Sequence, residues 1–476
     1  MKREEFYNYL TNKVMVLDGA TGTELQKRGM PSGVSPEQWV MDNPDKLIEI
    51  QREYVSSGSN AVYAYSFGSN RIKLGEYGLS HKVFEINKRL AQISREAVGD
   101  KALVAGDLSP TGQFIKPYGD LEFEEVVEIY KEQVKGLLEG GVDFFVIETM
   151  MDIQEARAAL IAVKESCDLP VCVSMTFSED GRTMMGTDAA TALITLQSLG
   201  ADAVGCNCST GPQSMQKVLR AMKDKAMIPL LAKPNAGLPK LIDGKTVFDM
   251  GPEEFGTYIN GFVNIGINLM GGCCGTSPAY IKQIRDYVAR LIPSDISKSS
   301  FVAATTARGT VPVNIEAPAI IGNRINIQAG SQIRTELEKD KTDLICDLAM
   351  EQMDEGVNIL NVKVPVSGTE EIKIMLAAIG AIVSMAQLPV CLETSDPDVL
   401  EAALRIYPGR ALVNLTSIED AEMSSIVTVA SKYGALIVVK GEKESMIRQL
   451  IEEYRINSKM GKPEVVVLGQ EVRLLD

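Results

Sequence analysis

The first 290 or so residues repeat one pattern: a short run rich in β-branched and aromatic residues, then a stretch with helical periodicity. The runs are VMVLDG from Val14, AVYAYSF from Ala61, ALVAGDLS from Ala102, DFFVIETM from Asp143, PVCVSMTF from Pro170, ADAVGCNCS from Ala201, PLLAKPNAG from Pro229 and INLMGGCCGT from Ile267. Between them lie stretches such as Phe123, Val126, Val127, Tyr130, Val134, Leu137 and Leu138, whose spacing paints one apolar stripe on a helix. Eight strand-then-helix units in about 290 residues suit a closed (β/α)8 barrel. An open doubly wound sheet is the alternative.

The segment Leu291–Pro318 changes character, being rich in Ser, Thr, Ala and Pro and poor in periodic apolar residues, so a linker is placed at 293–316. The barrel domain is then 1–292 and a second domain 317–476. In the second domain the alternation resumes: AIIGNRIN, a helix over Leu344–Glu355, ILNVKVP, a helix over Glu370–Met385, LPVCLETS, ALVNLTS, a helix near Ala421–Tyr433, ALIVVKG, a helix to Asn457, and EVVVLGQEV. These runs amount to about six strands, and 160 residues fall short of the roughly 200 a full barrel needs. An incomplete, TIM-barrel-like α/β layer is expected, with a sheet end that something must cover. LPVC recurs at Leu169 and Leu388, each time between a helix and a strand, which hints that both halves use one unit.

Composition narrows the function. With 48 Lys plus Arg against 63 Asp plus Glu the formal charge is -15, which repels phosphate backbones and anionic lipid, so neither nucleic acid nor a membrane surface is expected as a partner. The one histidine, His81, rules out paired-histidine metal sites, and its place in SHKVFEINKRLAQISREAVG suggests a solvated or capping role in a helix. Met1–Leu10, MKREEFYNYL, lacks the apolar run of a secretory signal, which gives a cytoplasmic expectation. In that reducing compartment the cysteines are expected as thiols or metal ligands rather than disulfides. The uncharged run Ile374–Leu392 raises a transmembrane question, but Gln387 and Pro389 interrupt it, so a buried helix running into a strand is expected.

In a (β/α)8 barrel the chemistry sits at the carboxyl ends of the strands. Those ends carry Asp18, Glu148, Cys208, Asn235, Cys273 and Cys274. Strands six, seven and eight are neighbours, so three thiols and one amide meet there although they are far apart in sequence. Zn2+ favours tetrahedral sulfur ligation, and a catalytic zinc keeps three protein ligands and one exchangeable position. Adjacent cysteines are more often just small buried residues, but the glycines of GGCCGT let the backbone bring both sulfurs to one point. Cys206 is a core thiol or a reserve ligand, and Cys167, Cys172, Cys346 and Cys391 read as structural thiols. Asp18 either caps a turn or serves the site. Glu148, ending FFVIE, needs water or a cationic partner, and a substrate amino group would serve. DGATGTE lacks the Gly-Lys-Ser/Thr of a phosphate loop, and Met184 and Met185 fill a core gap or line a mouth.

Taken together, LDGATGTELQKRG at Leu17, VIETM at Val146, GCNCS at Gly205, KPNAGLP at Lys233 and GGCCGT at Gly271 resemble the homocysteine S-methyltransferase domain. The resemblance implies zinc on Cys208, Cys273 and Cys274, with Asn235 near the fourth position when substrate is absent. It also implies that Asp18 and Glu148 hold the amino group of homocysteine. The second half resembles the pterin-binding domain that follows this barrel in the cobalamin-dependent methionine synthase family, in truncated form. Its pterin-site remnant is Asn323, Asn361, Glu393 and Asn414. GNRIN at Gly322 stands where that family has Gly-Glu-Arg-Ile-Asn, NVK at Asn361 replaces Asp-Val-Asn, and Glu393 replaces an aspartate. Such losses leave pterin donors unpaired at about 1–3 kcal/mol each if buried, which speaks against methyltetrahydrofolate. The family's Asp-x-His-x-x-Gly cobalamin motif has no counterpart at His81.

The expected activity is therefore zinc-dependent methylation of homocysteine to methionine, the methyl arriving as methylcobalamin on a separate corrinoid protein. The alternatives are direct transfer from a small sulfonium or ammonium donor, with Trp39, Tyr63 and Tyr65 as candidate cation-binding aromatics, or a second domain that only docks a partner or closes a homodimer.

Overall fold

The computed structural model describes residues 1–242, 245–289, 291, 293, 299–313, 317–365, 368–457 and 461–475. They divide into two compact units, Met1–Ala189 with Ala201–Ser299, and Ala190–Gly200 with Ser300–Asp476.

In the first unit all eight runs become parallel strands: β1 (Met15–Val16), β2 (Ala61–Tyr63), β3 (Leu103–Leu108), β4 (Phe144–Met150), β5 (Val171–Met175), β6 (Ala203–Asn207), β7 (Leu230–Lys233) and β8 (Leu269–Met270). They lie in the order β1-β8-β7-β6-β5-β4-β3-β2. Helices cover the outer face while side chains fill the inner one, which is why the strands read as nearly continuous apolar runs. The helix Phe123–Gly140 buries Val126, Val127, Tyr130, Val134 and Leu137 and stops at Gly141, whose φ of 87° a residue with a side chain rarely adopts.

No ladder joins β1 to β2, so the seam is closed by one backbone bond and two side chains. Asn60 donates its N–H to Val16 O (2.6 Å), and its Oδ1 accepts the Val16 N–H (2.9 Å). One step further on, Asp18 Oδ2 accepts the Tyr63 N–H (2.8 Å). Below the barrel, the helix Arg3–Asn12 presents Phe6 and Leu10 to interior residues such as Met15, Ala105, Phe144 and Leu231, all buried. After β7 an antiparallel hairpin, Pro239–Ile242 with Lys245–Phe248, interrupts the repeat. His81 is exposed in the short 3-10 turn Ser80–Lys82, which precedes the helix Val83–Val98 rather than lying within it.

The second unit holds seven parallel strands where about six were expected: β9 (Ala319–Asn326), β10 (Ile359–Lys363), β11 (Val390–Glu393), β12 (Leu412–Asn414), β13 (Leu436–Val439), β14 (Glu464–Val467) and β15 (Val472–Leu475). The run EVVVLGQEV supplies both the end of the sheet beside β13 and, through Val472, the opposite end beside β9. A flat seven-stranded sheet would hold its edges about 29 Å apart, whereas Leu468–Glu471 can bridge only about 18 Å from Val467 to Val472. The sheet therefore curls strongly, and an isolated parallel bridge joins Leu468 to Val472 between its two ends.

Within the stretch expected as a linker, Ala303–Thr305 and Thr310–Pro312 pair as a hairpin, and Ala304 and Val313 enter the second core beside Ile321, Cys391, Leu436 and Val472. Residues 294–298 and 314–316 of that stretch lie outside the described residues. The uncharged run Ile374–Leu392 resolves into the helix Thr369–Met385 and then β11. Among the described residues no helix is long and apolar enough to cross a membrane.

Arg410, 3% exposed, ties this hairpin to the sheet. Its guanidinium donates to Gly434 O (2.9 Å), Lys462 O (3.0 Å) and Glu464 Oε2 (2.8 Å), and its N–H donates to Thr305 Oγ1 (2.7 Å). Arg410→Met takes the guanidinium donors from Gly434 O, Lys462 O and Glu464 Oε2, so we expect a loss of about 3 kcal/mol or more in the unfolding free energy of the second unit, measured by urea titration. A change within about 0.5 kcal/mol would show that water replaces the guanidinium without cost.

Candidate metal centre and substrate cavity

The three cysteines flagged from strand ends converge: their Sγ atoms all lie within 4.8 Å of one another, with Cys208 and Cys274 at 3.8 Å. Tetrahedral zinc with Zn–S bonds of about 2.3 Å sets sulfurs about 3.8 Å apart, so the donor set fits that ion. Hydrogen bonds donated by Cys273 and Cys274 pull the Cys208 thiol down to about 3, and the same contact with Cys208 pushes Cys273 up to about 11 and Cys274 higher still.

Local backbone explains the convergence. Cys208 and Ser209 both have φ of 60°, and Thr149, at the end of β4, has φ of 62°, a costly conformation for a β-branched residue. Asn207 stabilises it: its Oδ1 accepts the Thr149 N–H (2.8 Å) and Ser174 Oγ–H (2.8 Å), while its Nδ2 donates to Thr149 Oγ1 (2.8 Å) and lies 3.8 Å from Cys273 Sγ. A Cβ on Gly272 would meet Thr276 Oγ1 at 2.3 Å, and Gly275 turns with φ of 80° against Phe248, so the cysteine loop needs both glycines. Cys273 N–H donates to Pro234 O (2.9 Å) and Ala236 N–H to Cys274 O (3.0 Å), which holds Asn235 against this loop. Asn235 is 2% exposed, and its Oδ1 has no hydrogen-bond partner among the described residues.

Beside the thiols a cavity of about 450 Å3 is lined by Asp18, Asp107, Glu148 and Lys233, with Tyr63 and Tyr65. Lys233 Nζ lies 3.2 Å from Asp18 Oδ1, 3.9 Å from Glu148 Oε2 and 3.5 Å from the centre of the Tyr63 ring. The 3.9 Å separation is a charge contact too long for a hydrogen bond, so Glu148 Oε2 remains unpartnered. Burial pushes the Glu148 carboxyl up to about 7 against the pull of Lys233. Asp18 rises by burial too, opposed by Lys233 and the Tyr63 N–H. Burial lowers the Lys233 ammonium, but Asp18 and Glu148 outweigh it and the net shift is upward. Tyr63 and Tyr65 line this cavity; Trp39 is not among its lining residues. Cys206 is buried and outside the thiol group, as are Cys172 and Cys391, while Cys167 and Cys346 are half-buried.

The sequence reading missed Asn207, Thr149, Asp107 and Lys233. Two were within reach, since Asn207 precedes Cys208 and Lys233 opens KPNAGLP, both at strand ends.

The four remnant residues of the second barrel also meet, around Glu393. Its Oε2 accepts from Asn361 Nδ2 (2.8 Å) and Asn414 Nδ2 (2.9 Å), and its Oε1 accepts from Lys363 Nζ and Ser417 Oγ. Asn361 Nδ2 also donates to Asn323 Oδ1 (2.8 Å), and Asn414 Oδ1 accepts from Thr416. This carboxylate is filled by the chain's own donors and neutralised by Lys363. The residues present do not fit a pterin, whose donors would need that same carboxylate.

Fold and site together define a (β/α)8 barrel with a thiol trio and an acidic cavity at its mouth. Residues 15–288 match the family model described as homocysteine S-methyltransferase, and residues 322–462 match the one described as pterin binding enzyme. The chain belongs to the homocysteine S-methyltransferase family. The methionine synthases of Mycobacterium tuberculosis (strain ATCC 25618 / H37Rv) and Mycobacterium leprae (strain TN) are each 28% identical over 458 residues, covering 91% and 90% of this chain. The chain spans 38% of the length of each of those relatives. The metallated form of the homocysteine methyltransferase MmuM from Escherichia coli shares the fold, with a TM-score of 0.51 and 21% identity over 58% of this chain and 96% of that one.

Burial raises the Glu393 carboxyl, but its hydrogen bonds from Lys363, Ser417 and Asn361 prevail and hold it below the usual 4.5. A carboxyl depressed in the folded state stabilises the protein above its unfolded value, and that stabilisation is lost as pH falls through the lower folded value. The melting temperature should therefore fall more steeply below about pH 4.5 in the wild type than in Glu393→Gln. Parallel acid limbs in the two proteins would contradict the network described.

Proposed function

We propose that this chain is a zinc-dependent S-methyltransferase that converts homocysteine to methionine. The observation that carries the reading is the convergence of the Cys208, Cys273 and Cys274 sulfurs, all within 4.8 Å of one another, beside a cavity lined by buried carboxylates. Zinc held there supplies a thiolate at neutral pH, where a free thiol of pKa about 8.5 is mostly protonated. The chain's own residues do the rest. Asp18 and Glu148 hold the substrate's ammonium, Lys233 fixes Asp18, and Asn207 keeps Thr149 and the cysteine loop in register. Asn235, whose Oδ1 has no partner among the described residues, would offer the fourth donor to the ion when substrate is absent.

The methyl donor in this reading is methylcobalamin carried outside these 476 residues, supported by the likeness to methionine synthases. A second reading, direct transfer from a small methylsulfonium or methylammonium compound, is supported by Tyr63, Tyr65, Phe67 and Tyr77 lining the cavity together with Glu37 and Glu76.

Methionine formation by the zinc-loaded protein distinguishes the two. Turnover with free methylcobalamin, abolished in Cys208→Ala, supports the corrinoid donor; turnover only with a methylsulfonium supports the second reading. Homocysteine that fails to bind the zinc-loaded protein at millimolar concentration rejects both. Cys274→Ala should lose zinc and turnover with its circular dichroism unchanged, since unfolding on metal loss marks a structural zinc instead. Asn207→Ala should keep the three ligands yet bind zinc about 10- to 100-fold more weakly in competition with a chromophoric chelator.

A further inference from the structure

Charge inside the first barrel does not balance. Side chains along a strand alternate between faces, so residues two beyond the apolar interior layer form the next layer up. Ala61, Ala105, Val146 and Leu231 belong to that apolar layer, and two residues beyond them stand Tyr63, Asp107, Glu148 and Lys233. Asp18 joins this polar layer through Lys233. The result is three buried carboxylates around one ammonium, and that ammonium is committed to Asp18.

Asp107 has no role in the reading above. It is 4% exposed at the end of β3, lines the cavity, and its Oδ1 has no hydrogen-bond partner among the described residues. Burial raises its carboxyl well above the ordinary range, and the neighbouring Glu148 adds to the rise. Lys73, which also lines the cavity, donates to Ser109 Oγ (3.1 Å) and lies 4.8 Å from the centre of the Phe67 ring. Glu148 Oε2 is likewise unfilled. Two buried carboxyl oxygens facing one cavity without a hydrogen-bond donor are costly unless a ligand supplies one.

We propose that Asp107 is a further substrate-binding residue, which with Glu148 and Asp18 offers one acceptor to each N–H of the substrate's ammonium and so selects amino-acid thiols over simple thiols. The proposal rests on the homocysteine reading and adds to it the group that recognises the amino function. An ammonium has three N–H donors and no acceptor, which matches a seat made of carboxylates alone.

Calorimetric titration of the zinc-loaded protein with homocysteine and with 4-mercaptobutanoate, which is homocysteine without its amino group, tests it. Asp107→Asn keeps the shape and removes the charge. We expect it to bind homocysteine about tenfold to a hundredfold more weakly than the wild type and to bind 4-mercaptobutanoate equally well. Asp107→Ser should show the same pattern. Unchanged homocysteine affinity in both variants overturns the proposal, as does an equal loss for both thiols, which marks a packing or metal effect. Wild-type protein that binds zinc but not homocysteine overturns the functional reading and this proposal with it, a result distinct from either of those.

Discussion

The Asp18 carboxylate is where the barrel and its chemistry depend on the same bond. β1 and β2 make no ladder, because β1 has only Met15 and Val16 in register with β8. Asn60 supplies the first two bonds across that seam, and Asp18 Oδ2 supplies the next by accepting the Tyr63 N–H. The other oxygen takes Lys233 from β7, so one side chain links three strands at the mouth. A carboxylate at this depth is costly when alone, and Lys233 is costly when alone. Each makes the other tolerable, and the Tyr63 ring against Nζ adds a third contact. Closing the barrel therefore delivers a fixed negative group to the cavity.

Much of this was legible because parallel strands covered on both faces write themselves as apolar runs, and because the barrel sends all their carboxyl ends to one place. Cys208 and Cys274 are 66 residues apart, yet strand order alone brings them together. What stayed illegible was pairing between polar residues. Lys233 and Asp18 are 215 residues apart, and nothing in either neighbourhood says that a lysine at a strand end turns inward rather than into solvent. Asp107 sits in an apolar run, where its cost shows but its purpose does not. The hairpin after residue 302 looked like a linker because Ser, Thr and Pro dominate it, although Ala304 and Val313 suffice to plug a small barrel. The split of EVVVLGQEV into two strands on opposite edges was hidden for another reason: periodicity reports a face, not a neighbour.

The second barrel uses the same scaffold with the opposite electrostatic solution. Its strand ends also carry polar residues to one mouth, and Asn323, Asn361, Glu393 and Asn414 meet there as the resemblance implied. Lys363 from β10 changes their meaning. In a buried site an ammonium against a carboxylate satisfies the charge internally, and Ser417 with two amides fills the remaining lone pairs of Glu393. A polar ligand would have to break those bonds before making its own.

The two mouths differ in how their buried acceptors are met. A buried acceptor without a donor costs about 1–3 kcal/mol, and a fold tolerates the cost only where something outside the chain repays it. In the first cavity Glu148 Oε2 and Asp107 Oδ1 stand without donors, and Asn235 Oδ1 stands so behind the thiol loop. At the second mouth Glu393 is saturated, and Asn361 Oδ1 alone of the remnant side chains carries an unmet acceptor. Strain follows the same division: Thr149, Cys208 and Ser209 hold positive φ around the thiols, while the only such non-glycine residue in the second unit among the described residues is Asp340, outside the polar network. Unfilled acceptors and unfavourable backbone thus coincide around the thiols of the first barrel, whereas in the second unit Glu393 is saturated and the unmet amide oxygens are those of Asn361 and Asn326.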